Sequence, residues 1–105
     1  MQTMRFFKKD QIVATEGIKE SRLFILVDGR VGIFKGNLKV AEFSDAGTIF
    51  GEMSIILKQP RTASIKTLED SNIIIFEATI EELIRSFPDI SLKIMKNLAE
   101  RLTTT

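Results

Sequence analysis

A chain of 105 residues with 44% hydrophobic content and no cysteine has room for one domain with its own core. It offers no disulfide framework, thiol nucleophile, iron–sulfur cluster or thiolate zinc site, and the absence of histidine removes the commonest general base and the usual haem and metal ligand. Fifteen Lys and Arg against fourteen Asp and Glu leave a net charge of +1, without the basic excess that nucleic-acid or membrane-surface binding usually needs.

The opening residues, MQTMRFFKKDQIVATEG, hold no apolar stretch of signal-peptide length, and no later window approaches a membrane span, so a cytoplasmic protein is expected. Met4–Phe7 and Ile12–Thr15 are short β-prone runs around the polar turn Lys8-Lys9-Asp10-Gln11, with Phe6 and Phe7 expected in the core. Leu23–Val27 is a continuous apolar run closed by the turn dipeptide Asp28-Gly29. Val31–Phe34 follows so closely that the two predict a hairpin. Lys35-Gly36-Asn37 turns the chain into a strand over Leu38–Phe43, and Asp45-Ala46-Gly47 breaks it again. Further on, Thr62–Thr67 alternates Ala63 and Ile65 with polar neighbours, and Ile73–Phe76 is a buried-looking run. Roughly eight strands at this spacing, without intervening helices, predict a mainly β fold: an antiparallel roll of the jelly-roll type.

The period then changes. Ile80, Leu83, Ile84 and Phe87 stand at i, i+3, i+4 and i+7, one face of a helix, and Thr79 with Glu82 fits a capping box. Proline disfavours helical dihedrals in the residue before it, so Phe87-Pro88 interrupts the chain. Pro88 suits the first position of a second helix, in which Ile90, Ile94, Leu98 and Leu102 continue at helical spacing with Met95 and Ala99 alongside. The expectation is one domain over 1–105, with the roll at about 4–77 and helices at about 79–87 and 88–102.

The stretch Phe50-Gly51-Glu52-Met53-Ser54-Ile55-Ile56-Leu57-Lys58-Gln59-Pro60-Arg61-Thr62-Ala63-Ser64 carries the chemistry. Gly51 lets backbone approach closely, and free N–H groups near Met53 and Ser54, at the start of a short helical turn, favour an anion. Arg61 supplies a permanent charge with a planar donor fork for phosphate oxygens. Glu52, an acid beside an anion, makes sense as the acceptor for a hydroxyl such as that of a ribose. The duller reading makes Arg61 and Glu52 an exposed ion pair worth little. Ile55, Ile56 and Leu57 read as core packing, and Lys8-Lys9 as a solvated turn.

This stretch resembles the phosphate-binding cassette of cyclic-nucleotide-binding domains, whose pattern is roughly F-G-E, a short apolar helix, then P-R-T/S/A-A. Such domains occur in catabolite activator proteins, in regulatory subunits of cyclic-nucleotide-dependent kinases and in cyclic-nucleotide-gated channels. The likeness runs from about Met4 to Leu102: Gly17, Gly29 and Gly47 fit the turns of that family's roll, and Phe87-Pro88-Asp89 fits its helix break. The resemblance implies that Gly51 and Glu52 bind the ribose 2′-hydroxyl and that Arg61 pairs with the cyclic phosphate. Thr62 would reach the phosphate and touch a guanine amino group, and the backbone of Met53, Ser54 and Ala63 would line the cradle. The base is expected against the roll wall near Val40 and Ala41.

The chain ends at Thr105 without the helix-turn-helix that follows the roll in activator-class regulators, so no DNA contact is expected. Thr103, Thr104 and Thr105 read as a tail, or alternatively as a remnant that contacts the base. The function expected is sensing of cyclic AMP or cyclic GMP as ligand, without a cofactor, metal or catalytic residue. The state would be passed to a protein partner or within a homodimer. The alternative is a nucleotide-free roll serving as an interaction module, since fold does not fix function. A cupin-type enzyme, and sensors that hold haem or iron–sulfur clusters, fail for want of His and Cys.

Overall fold

The computed structural model describes residues 2–103. Eight strands and three helices follow in chain order: β1 (Gln2–Phe7), β2 (Ile12–Ala14), β3 (Arg22–Asp28), β4 (Val31–Lys35), β5 (Leu38–Phe43), β6 (Ile49–Phe50), α1 (Met53–Leu57), β7 (Ser64–Thr67), β8 (Ser71–Glu77), α2 (Ile80–Ser86) and α3 (Pro88–Thr103). The strands form two four-stranded sheets, ordered β1-β8-β3-β6 and β2-β7-β4-β5, with antiparallel pairing throughout.

The continuous apolar runs of β3 and β8 have a direct cause. Successive side chains of a strand point to opposite faces, and here both faces are covered. Phe24, Leu26, Ile73 and Ile75 face the core between the sheets, with Phe7, Val31, Phe50 and Ile65. Leu23 and Phe76 face the other way and pack with Ile49, Ile55, Leu83 and Ile94 in a second core, under the helices. The outer face of the second sheet is solvated, and its edge strand β5 is mostly exposed.

The predicted hairpin between Leu23–Val27 and Val31–Phe34 does not form. β3 pairs with β6 and β8, whereas β4 pairs with β5 and β7, so the turn carries the chain from one sheet to the other. Gly29 makes that corner possible. Its φ is +100°, and a Cβ there would lie 2.2 Å from Ser71 Oγ and 2.5 Å from the Asp70 carbonyl oxygen. The two-residue strand β6 is too short to give a periodic signal, and β7 begins at Ser64 instead of Thr62.

The capping box of α2 is complete. Thr79 Oγ1 accepts from the Glu82 N–H at 3.1 Å, and the Glu82 carboxylate accepts from the Thr79 N–H at 3.4 Å. Phe87 ends α2, its N–H donating to the Leu83 carbonyl at 2.8 Å, and its ring meets Phe76 edge-on with centroids 5.1 Å apart. Pro88 opens α3. Several side chains expected inside face out: Phe6, Leu57, Ile84 and Leu102 are exposed, while Phe7, Ile55, Leu83 and Ile94 are buried. Among the described residues no helix is long and apolar enough to cross a membrane.

Candidate functional site

The site is built on an aromatic floor. Phe24 of β3 and Phe50 of β6 stack with ring centroids 5.4 Å apart, and the Arg61 guanidinium lies over Phe24 at 5.1 Å. Gly51 follows Phe50 with φ +79°. A Cβ on it would lie 2.8 Å from Arg61 Nη1 and 2.9 Å from Phe24 Cδ2, so only glycine fits both the backbone and the space.

Arg61 is held on all sides although its chain segment is a loop. Its N–H donates to the Ile18 carbonyl at 3.0 Å, and its carbonyl accepts from the Gly17 N–H at 2.8 Å. Its Nε donates to Glu20 Oε1 at 2.7 Å, Nη1 to the Gly51 carbonyl at 3.2 Å, and Nη2 to the Arg22 carbonyl at 2.8 Å. The side chain is only 4% exposed. A buried charge of this kind needs a counter-charge and satisfied donors, and Glu20 with two carbonyls supplies them. A guanidinium has five N–H donors, so two remain beyond these three bonds.

Glu52 closes the other side. It precedes α1 as its N-cap but makes no side-chain capping bond. Its side chain is 6% exposed, and its Oε1 lies 3.2 Å from Nη1 of the half-exposed Arg101 on α3. The N–H groups of Met53 and Ser54 open α1, where a helix has no carbonyls behind it to accept them. Ser54 is buried, its hydroxyl within 3.3 Å of the Glu20 and Gly51 carbonyls.

These groups surround one cavity of about 280 Å³, and Gly51, Glu52, Met53, Ser54, Arg61, Thr62 and Ala63 all line it. Its apolar wall is Ile33, Phe43, Ile49 and Ile65, with Leu57 at the α1 side. Val40 and Ala41 are not part of that wall: β5 is an edge strand, Val40 is 48% exposed, and the inward positions belong to Phe43 and to Ile33 of β4. Arg61 and Glu52 are not each other's partners, as an exposed pair would require, because each is buried with a different counter-charge. Glu20 and Arg101 have no signature in the sequence; both reach the site from segments remote along the chain. Thr103 is the last residue of α3, and Thr104 and Thr105 lie outside the described residues.

An antiparallel β-roll whose single cassette joins a buried arginine and a buried carboxylate over an aromatic floor defines a small-ligand-binding module. The chain belongs to the cyclic nucleotide-binding domain family, whose model matches residues 4–86. The CRP-like cAMP-activated global transcriptional regulator of Mycobacterium tuberculosis is 29% identical over 104 residues, which covers 94% of this chain and 46% of that protein. The cGMP-dependent protein kinase egl-4 of Caenorhabditis briggsae is 28% identical over 74 residues, covering 70% of this chain and 10% of that protein. The Thermus thermophilus Catabolite Activator Protein superposes with a TM-score of 0.82 at 26% identity, covering 98% of this chain and 51% of that one. The chain therefore spans about half, or less, of the length of each of these three proteins.

Proposed function

We propose that the cavity binds a 3′,5′-cyclic purine nucleotide, cyclic AMP or cyclic GMP, and that the chain acts as a non-catalytic cytoplasmic sensor needing no cofactor or metal. The observation that carries this reading is the convergence of Arg61 and Glu52, both buried, on one cavity. Arg61 would take the cyclic phosphate with its remaining N–H groups, helped by the N–H groups of Met53, Ser54 and Ala63 and by the Thr62 hydroxyl. Glu52 and the Gly51 backbone would take the ribose 2′-hydroxyl, and the base would lie against Ile33, Phe43 and Ile65. The names of the matched relatives, one cAMP-activated and one cGMP-dependent, support the ligand class and leave both purines open.

The signal would pass to a protein partner or a second copy. Leu92 and Met95 are exposed on α3 at i and i+3, turned away from the buried Ile94, and this supports a protein surface as the receiver. The net charge of +1 supports no direct DNA contact by these 105 residues.

Calorimetric titration of the chain with cyclic AMP and with cyclic GMP tests the proposal. Saturable binding of either at one site per chain is expected. No heat with either at millimolar concentration would sink it and leave the interaction-module reading.

A further inference from the structure

A strand at the end of a sheet leaves every second backbone N–H and C=O pointing outward, and these groups pair with any extended chain that fits. Among the described residues the two sheets end in four such strands, β1, β6, β2 and β5. Short length, bulges and charged side chains are the usual defences of an open edge, and three of the four carry them. β6 has two residues and β2 three. β5 slips register with β4 between Ile33 and Phe34 and carries the Lys39–Glu42 ion pair along its length.

β1 is the exception. Its six residues match β8 one for one, from Gln2 opposite Phe76 to Phe7 opposite Ser71, with no bulge and no proline. Its one charged residue, Arg5, is turned along its own strand, over the Phe7 ring at 5.1 Å. Met4 and Phe6 share the face on which the helices pack, where Met4 stands opposite Ile74 of the second core. They are nevertheless 59% and 53% exposed, because the helices stop short of β1.

The residues of the strand select its occupant. Opposite residues of an antiparallel pair share a face, so two copies of β1 can join about a two-fold axis only where that axis passes through a residue. An axis at Arg5 opposes two arginines, which is destabilising. An axis at Met4 opposes Met4 to the partner's Met4, Phe6 to the partner's Gln2 and Arg5 to the partner's Thr3. On the helix side the methionines and phenylalanines then form one apolar strip across the join. On the other side each Arg5 leans to the Phe7 of its own strand, so the two guanidiniums diverge. Lys8 and Lys9 fall beyond the paired segment. We infer that β1 is a self-pairing edge: two copies of the chain join β1 to β1 about an axis at Met4, and their first sheets become one continuous sheet. No residue of β1 lines the cavity, so the interface leaves the site open.

The chain has no cysteine, so a single introduced one reads the register directly. Met4→Cys sets two thiols face to face at a Cα spacing of about 4.5–5.5 Å, within disulfide range. Mild oxidation should convert this variant to a reducible covalent dimer. Phe6→Cys and Arg5→Cys, exposed but not self-opposed, should stay uncross-linked under the same conditions. Sedimentation gives the second readout. The parent should show a concentration-dependent monomer–dimer equilibrium. Met4→Lys opposes two lysines at the axis and should raise the dimer dissociation constant about tenfold, with the unfolding midpoint of the dilute protein unchanged. A parent that stays monomeric at millimolar concentration would overturn the pairing. So would a dimer that Met4→Lys leaves as tight as before, or cross-linking of Phe6→Cys or Arg5→Cys as fast as that of Met4→Cys. None of these readouts involves a nucleotide, so they stand or fall apart from the ligand assignment.

Discussion

Arg61 and Glu20, 41 residues apart, meet at 2.7 Å in a setting where the arginine side chain is 4% exposed and the glutamate 23%. The pair fixes the guanidinium plane on Phe24 before any ligand arrives. Such preorganisation lowers the ordering cost of binding an anion.

Arg61→Ala is therefore expected to do two things at once. Cyclic-nucleotide affinity should fall by about 2–5 kcal/mol, the cost of truncating a desolvated charge partner. Stability should fall by about 1–3 kcal/mol, because Glu20 and the Gly51 and Arg22 carbonyls lose their donors. Calorimetry and denaturant unfolding read the two separately. Parent-like affinity in this variant would show that the ligand lies elsewhere. Glu20→Gln keeps an acceptor for Nε and should weaken binding less than about tenfold, or ~1.4 kcal/mol.

Glu52→Ala should weaken cyclic AMP binding by about 1–2 kcal/mol, less than Arg61→Ala, since one hydroxyl contact is lost. The variant should also stop distinguishing cyclic AMP from 2′-deoxy cyclic AMP. A variant that still prefers the ribose form by the parental ratio would show that another group reads the hydroxyl.

Gly51→Ala should destabilise the fold by about 2–4 kcal/mol, because a left-handed backbone and a crowded Cβ act together. The added methyl would stand 2.8 Å from Arg61 Nη1 and 2.9 Å from Phe24 Cδ2, so binding should fall as well. An unfolding midpoint equal to the parent's would mean that the loop relaxes at no cost.

Base preference is expected to be small. Thr62 stands exposed at the cavity rim, where its hydroxyl can meet a guanine amino group, and the apolar wall offers no donor or acceptor that excludes adenine. Competition for a fluorescent analogue should place cyclic AMP and cyclic GMP within about tenfold, or ~1.4 kcal/mol, of one another. A hundredfold preference for either would refute this.

Local features were open to reading from the residue order alone. The apolar runs of β3 and β8, the Thr79–Glu82 capping box, the break at Phe87-Pro88 and the spacing from Gly51 to Arg61 each depend on chemistry within a few residues. The cassette spacing also brings Gly51, Glu52, Arg61 and Thr62 to one cavity, because short α1 and the following turn leave the chain few ways to run.

Tertiary packing decided the rest. Adjacent aromatics such as Phe6 and Phe7 are identical to any periodic rule, yet one is exposed and one buried, since a strand edge covers only one face. The same holds for Ile84 beside Leu83, and for the turn at Gly29 that links two sheets where a hairpin was expected. Above all, the counter-charges of the site could not be read in advance. A buried Arg or Glu must have a partner, and nothing near it in the chain says which. Only the closed roll brings Glu20 to Arg61 and the end of α3 to Glu52, because ion pairing depends on distance in space and not on separation in sequence.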